Sequence, residues 1–235
     1  MTYVLLSCDA PKKCIKGLEA LGYTPLLLPP FDRLSEPVCT HADMLFFSYS
    51  NYIVTQRDYY KTASDVFDTL SSNCGISLIL ADDDIKKEYP HDIAYNAIAL
   101  GKKLYSNTRF TSKKVSELFP VHIHTKQGYS ACSTLALTET HVITADPSLS
   151  RVYEKNGINV TLVSNGSISL PPYDYGFIGG ASGVFGNTVF FAGELSFHRD
   201  ADIIKEAIRR CGMNYISLSN EPLSDIGGIK FFEAV

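Results

Sequence analysis

The order of segments along this chain repeats, and the repeat limits the fold more than any single motif. Each unit reads as an amphipathic helix, an apolar strand, a loop and a pair of strands. Self-similarity at a period of some tens of residues marks arrays whose units bury their apolar faces only against neighbours. The first unit is expected to have a helix over 11–21 after Asp9, a stop at Gly22, a strand over 23–28 and a strand pair over 43–48 and 52–56. The second has a helix over 62–71, a strand over 76–81 and a hairpin over 92–100 and 103–106. The third has a helix over 112–119, a strand over 121–125 and a pair over 132–137 and 141–144. The fourth carries the plainest signals. Asp146-Pro147 gives a cap followed by proline at the first helical position, and Gly157 ends that helix. A strand over 159–164 follows, then a hairpin over 175–184 and 188–192 turning at Gly186-Asn187. The fifth starts at Asp200 as a cap, runs to Arg210, stops at Gly212 and continues as strands over 214–218 and 228–232.

The fifth unit lacks one strand, and the strand over 3–8 has no unit of its own. The economical solution lets the N-terminal strand complete the last unit, which removes exposed sheet edges. The fold class expected is α/β: a five-fold pseudo-symmetric α/β propeller forming a single closed domain over 1–235. A generic α/β sheet is the alternative, since helix–strand alternation is common.

Composition narrows the function classes. With 235 residues and 45% hydrophobic content, the chain has enough apolar material for a sizeable core. Its net charge is −4, and Lys12–Lys13, Lys86–Lys87 and Lys113–Lys114 are isolated pairs. Nucleic-acid binding needs a cationic face, so no nucleic-acid partner is expected. No apolar run approaches a membrane span, and Leu5-Leu6-Ser7-Cys8 lacks the basic and apolar regions of a lipoprotein signal. The six cysteines match no zinc or redox spacing and read as free thiols of a cytoplasmic protein.

Four motifs carry a family resemblance. They are Tyr89-Pro90-His91-Asp92-Ile93-Ala94-Tyr95-Asn96, Lys126-Gln127-Gly128-Tyr129-Ser130-Ala131-Cys132-Ser133, Tyr173 to Gly183, and Asp225-Ile226-Gly227-Gly228. Together they resemble an uncharacterised bacterial family with the pentein fold, over about residues 80–232. That fold is also the fold of arginine deiminases, amidinotransferases and dimethylarginine hydrolases, and of the non-catalytic initiation factor 6. The resemblance implies that the first strand of each hairpin lies nearest the axis. It also shows a departure. Pentein enzymes place a nucleophilic cysteine shortly after a glycine pair in the last unit, and here no cysteine follows Cys211. No segment matches the His-acidic motif of the fourth unit.

Candidate site residues cluster where the inner strands should begin. Asp43, Asp92, Asp174 and Asp225 recur there, with Tyr129 and Cys132 from the third unit. Converging carboxylates suit a guanidinium or amine, although aspartate is also common in turns. Cys132 is the candidate nucleophile; a thiol needs a neighbouring base or cation to ionise, and a buried structural cysteine is the plainer reading. Lys126 stands close in sequence, and Asn96 and Ser182 are candidates for orienting a ligand. His122 and His124 share one face of a strand, but no third ligand is in view, so no metal site and no cofactor are expected. The glycine-rich run 176–183 leads into a hairpin and not a helix, which excludes a dinucleotide fingerprint.

The expected partner is therefore a small polar or cationic metabolite, held in an axial pocket by Asp92, Asn96, Lys126, Tyr129, Asp174, Ser182 and Asp225. Whether the pocket is catalytic stays open: on one reading the protein is a hydrolase or transferase acting through Cys132. The alternative is a non-catalytic binding or interaction protein without the usual nucleophile, and the oligomeric state stays open.

Overall fold

Five three-stranded sheets, each built the same way, account for all the strands of the chain. The computed structural model describes residues 1–235. The chain starts with β1 (Thr2–Ser7), α1 (Lys12–Ala20) and β2 (Thr24–Leu28), then reaches α2 (Ala42–Leu45), β3 (Phe46–Tyr49) and β4 (Tyr52–Gln56). Next come α3 (Arg57–Thr62), α4 (Ser64–Cys74), β5 (Ser77–Ala81), β6 (Ile98–Leu100), β7 (Lys103–Ser106), α5 (Lys113–Ser116) and β8 (Val121–His124). The last stretch holds β9 (Thr134–Thr138), β10 (His141–Thr144), α6 (Pro147–Lys155), β11 (Asn159–Leu162), β12 (Ser182–Phe185) and β13 (Thr188–Phe191). It ends with α7 (Ala201–Arg210), β14 (Asn214–Ser217) and β15 (Lys230–Glu233).

In each sheet an antiparallel hairpin is followed by helix and then by a strand that returns parallel to the middle strand. This gives β3-β4-β5, β6-β7-β8, β9-β10-β11 and β12-β13-β14. The fifth sheet is β15-β1-β2, in which Thr2 to Leu5 pair antiparallel with Glu233 to Lys230. The first and last strands of the chain are thus neighbours, as the orphan strand predicts. The first strand of each sheet faces inward: β6 packs against β9, β9 against β12, and β12 against β15. The fold is the pentein propeller expected from the motifs.

Middle strands are covered on both faces, so their apolar residues run consecutively, as in Ile53-Val54 and Val4-Leu5-Leu6. Outer strands keep one face in water and leave Leu27, Val121, Leu162 and Tyr215 exposed. Helices fill the space between sheets with one apolar stripe: α7 buries Ile204, Ala207 and Ile208 and turns Ile203 to solvent. Asp146 caps α6, its carboxylate accepting from the amides of Ser148 and Leu149. Gly186 takes φ +58° at the turn between β12 and β13, the conformation that a tight hairpin needs.

Several expectations are corrected. Asp200 stands at the N-cap position of α7 as expected, but its side chain makes no capping bond; it accepts from the amide of Ser164, tying α7 to the loop after β11. The helix expected over 62–71 is α4, shifted to Ser64–Cys74, and a short helix that was not expected, α3, precedes it. The first strand of each hairpin starts later than its apolar run suggests. Asp43 lies in α2, residues 92–96 form turns before β6, and Cys132 lies in a turn before β9. Only Ser182 onward of the run 175–184 is strand. No helix is long and apolar enough to cross a membrane.

Closure depends on β1, whose Leu6 is fully buried in a cluster shared with Phe190, Ala192 and Ile229. Leu6→Ala is expected to cost about 2–5 kcal/mol in urea unfolding, from lost transfer energy plus the cavity left behind. Leu27→Ala, on the 40% exposed outer strand position, is expected to cost under about 1 kcal/mol.

Candidate functional site

The segments that enter the inner strands meet at one end of the axis, and neighbouring segments bond to each other in sequence around it. The Asn96 carboxamide oxygen accepts from the amides of Ala131 (2.8 Å) and Cys132 (3.3 Å). The amide of Gly180 donates to the Cys132 carbonyl (3.0 Å). Ile226 and Gly228 donate to the Gly180 carbonyl (3.0 and 2.8 Å), and Asp43 donates from its amide to the Gly227 carbonyl (3.1 Å). Asn96 Nδ2 closes the circuit with contacts to Met44 Sδ (3.2 Å) and Cys132 Sγ (2.8 Å).

Glycines make this close approach possible. A side chain at Gly176 or Gly180 would collide with Asp225, and one at Gly179 with the carbonyls of Ala131, Cys132 and Thr134. Gly227, at φ +75°, lies against His41 and has no room for a Cβ. The glycine-rich run therefore seats the Asp225 carboxylate and the loop of the third unit; it cradles no phosphate.

Asp225 is buried. Its Oδ2 accepts from the Phe177 amide (2.8 Å) and its Oδ1 from the Gly227 amide (3.0 Å). The only cation-forming group near it is His41, whose Nδ1 lies 3.7 Å from Oδ1, beyond hydrogen-bond length. Burial pushes the Asp225 carboxyl up to about 6; His41 pulls it down and the Asp43 carboxylate pushes it up further. Asp92 is also buried and raised by burial, and one of its oxygens accepts from the Tyr129 hydroxyl (2.7 Å) while the other has no partner. The Cys132 thiol is buried. Burial first, then the carboxylates of Asp43 and Asp225, hold its pKa well above the ordinary thiol value, and Asn96 opposes them.

Above these groups lies a cavity of about 310 Å³. His41, Cys132 and Asp225 form its floor, and Val38, Met44, Leu170, Tyr129 and Phe177 its walls. Tyr173, Asp174 and Tyr175 stand at its exposed rim. Tyr129 and Phe177 lie with rings stacked, 6.3 Å between centroids, and Tyr89 continues the aromatic wall at 5.5 Å from Tyr129.

The structure brings Cys132, Tyr129, Asp174 and Asp225 to one cavity, with Asn96 beneath Cys132 and Asp92 behind Tyr129. It places two other candidates elsewhere. Lys126 is exposed in the turn after β8 and touches neither the cavity nor Cys132. Ser182 is buried on β12 with its hydroxyl donating to the Ile178 carbonyl (2.7 Å), and it lines a separate cavity among the inner strands. His122 and His124 are partnered by the hydroxyls of Ser106 and Thr108. His41 and Phe177 were not legible as site residues. His41 sits just before the four-residue α2, and nothing in its spacing marks it.

The family model described as "Family of unknown function (DUF6873)" matches residues 5–230. The chain belongs to this family. No curated protein matches it in sequence. Among solved structures, this DUF6873 chain is similar to an amidinotransferase from Microseira wollei in the saxitoxin biosynthetic pathway. The two are 12% identical with a TM-score of 0.54, over 88% of this chain and 73% of the other. It is similar to DDAH from Pseudomonas aeruginosa complexed with citrulline, 12% identical, TM-score 0.53, over 92% and 91%. C. jejuni agmatine deiminase is 9% identical, TM-score 0.57, over 94% and 90%. At this identity the likeness establishes the fold. The structural neighbours are guanidino-group-modifying enzymes.

A buried carboxyl raised from 3.8 to about 6 has a definite effect on the DUF6873 chain. Below the unfolded-state value both states hold the proton, and the contribution is intact. As pH rises from about 4 towards about 6 the unfolded chain ionises while the buried carboxyl keeps its proton, and stability falls by up to about 1.4 kcal/mol per pH unit until both states are ionised. Asp225→Asn is expected to remove that loss between about pH 4 and 6, measured by urea unfolding across the range.

Proposed function

We propose that the cavity over Asp225 binds a small organic cation, a guanidinium or an amine. The observation that carries this reading is the Asp225 carboxylate, buried on the cavity floor with no cation within hydrogen-bond distance. An ionised carboxyl removed from water is costly unless a counter-charge reaches it, and a ligand cation supplies one through charge-assisted hydrogen bonds. The walls suit the same ligand. Tyr129 and Phe177 present aromatic faces, which attract a cation most strongly where water is excluded. Asp174 at the rim adds negative charge along the way in. The structural neighbours named above act on guanidino compounds by their own names, which agrees with this choice of cation.

Whether the cation is turned over depends on Cys132. In the free protein its environment keeps the proton on sulfur, which favours a binder without catalysis. A second reading is favoured by the 2.8 Å contact from Asn96 Nδ2, a donor aimed at the sulfur. A bound guanidinium would offset the charges of Asp43 and Asp225 and so ease ionisation of the thiol. The thiolate would then form a bond to the guanidinium carbon as a C–N bond breaks, and the proton lost by the thiol would leave on the departing amine.

Methylguanidine is the simplest probe. Wild-type protein is expected to bind it with saturable heat in calorimetric titration, and Asp225→Asn to weaken binding about ten-fold or more. Lys126→Met is expected to leave it unchanged. Absence of binding to both methylguanidine and butylamine by folded wild-type protein would sink the reading. Under the binder reading, iodoacetamide labels Cys132 no faster when methylguanidine is present. Under the turnover reading it labels faster at pH 8, and Asn96→Ala abolishes the acceleration.

A further inference from the structure

A second cavity, of about 380 Å³, lies among the inner strands themselves, with residues from β3, β6, β9, β12 and β15 all lining it. It therefore sits on the pseudo-five-fold axis, below the floor of the cavity already described. Most polar side chains facing it are committed within the protein. The Tyr49 hydroxyl donates to the Gly101 carbonyl (3.2 Å), the Ser182 hydroxyl to Ile178, and the Tyr95 hydroxyl to Asp83 (2.9 Å), while Thr134 pairs with the Tyr153 hydroxyl (2.8 Å).

Two charged groups that line it form no ion pair, although the Asp43 carboxylate also lies against the Cys132 thiol. Asp43, only 3% exposed, lines the cavity with its Oδ1 enclosed and without a hydrogen-bond partner. Lys230, on β15, lines it half-buried, and its Nζ has no carboxylate within 4.0 Å. The two groups do not pair with each other. The rest of the lining is largely apolar and includes buried Phe46, Phe47 and Leu135.

Such a cavity presents one negative and one positive group across an apolar surface. A simple anion or cation would satisfy one of them and leave the other uncompensated in a partly dry space, which is costly. A molecule that carries an ammonium and a carboxylate on a small apolar frame satisfies both by charge-assisted hydrogen bonds. We propose that the strand-lined cavity is a binding site for an apolar α-amino acid, its ammonium on Asp43 and its carboxylate on Lys230. The site does not depend on what the loop-lined cavity binds. The two are linked through Asp43, whose charge also reaches Cys132 in the loop-lined cavity.

The test is calorimetric titration of the full chain, with saturating methylguanidine present to occupy the loop-lined cavity, using L-leucine and two analogues that each lack one charge, 4-methylpentanoate and isopentylamine. L-leucine is expected to bind, and each analogue at least about ten-fold more weakly, the loss of one charge-assisted hydrogen bond. Lys230→Met, at a half-buried position whose ammonium makes no ion pair, is expected to fold and to bind L-leucine no better than isopentylamine. Three results would overturn the proposal. One is no saturable heat with L-leucine at tens of millimolar. Another is equal affinity for L-leucine and its analogues in the wild type. The last is Lys230→Met binding L-leucine as tightly as the wild type. Should Lys230→Met fail to fold, the analogue series on the wild type decides alone.

Discussion

Everything at the axis depends on the circuit of hydrogen bonds that passes from Asn96 to Ala131 and Cys132, from Cys132 to Gly180, from Gly180 to Ile226 and Gly228, and from Gly227 to Asp43. Each link joins the entry segment of one unit to that of the next. Buried backbone polar groups must find partners, and in this circuit each partner lies in the neighbouring unit. The entry segments consequently cannot be ordered one at a time. Asn96 links three units through its side chain, with its oxygen taking two amides and its nitrogen facing two sulfurs.

That circuit fixes carboxylates where water does not reach. Asp43, Asp92 and Asp225 are each buried, and two of them keep an oxygen with no partner. Burying a polar group without a partner costs stability, so these positions are poor choices for holding the fold together. Their arrangement makes sense as a field shaped for something positive. The same field disfavours a free thiolate at Cys132, so recognition of charge and reactivity of sulfur are coupled in one small volume.

The repeat, the pairing of the two ends and the identity of most inner residues were legible in the sequence, because turn glycines, caps and apolar runs are local signals. Tyr52–Gln56, Lys103–Ser106 and His141–Thr144 follow the expected bounds closely, since middle strands are buried on both faces. The inner strands were read too long. Residues 92–97, 132–133 and 175–181 look extended in sequence, but Asn96 takes the amides of Ala131 and Cys132, Asp225 takes that of Phe177, and local turn bonds such as Asn96 N–H to the Ile93 carbonyl hold 92–97. Lys126 was misplaced because closeness in sequence to Cys132 says little across a turn. His41 went unseen because its role comes from contact with Asp225, about 180 positions away in sequence, which no local pattern encodes.

The fifth sheet joins residues 2–5 to residues 230–233, so its middle strand is made first and its inner strand last during synthesis. A chain emerging from the ribosome can assemble the sheets of units one to four in order, each from contiguous segments. It must carry β1 with an unpaired edge until β15 appears, and contacts across so great a separation form slowly. During that interval the apolar run Val4-Leu5-Leu6 is open to other chains, and the Asp225 corner of the site does not yet exist. The pairing of β15 with β1 thus comes with the placing of Asp225, so a chain still lacking β15 lacks the complete carboxylate floor.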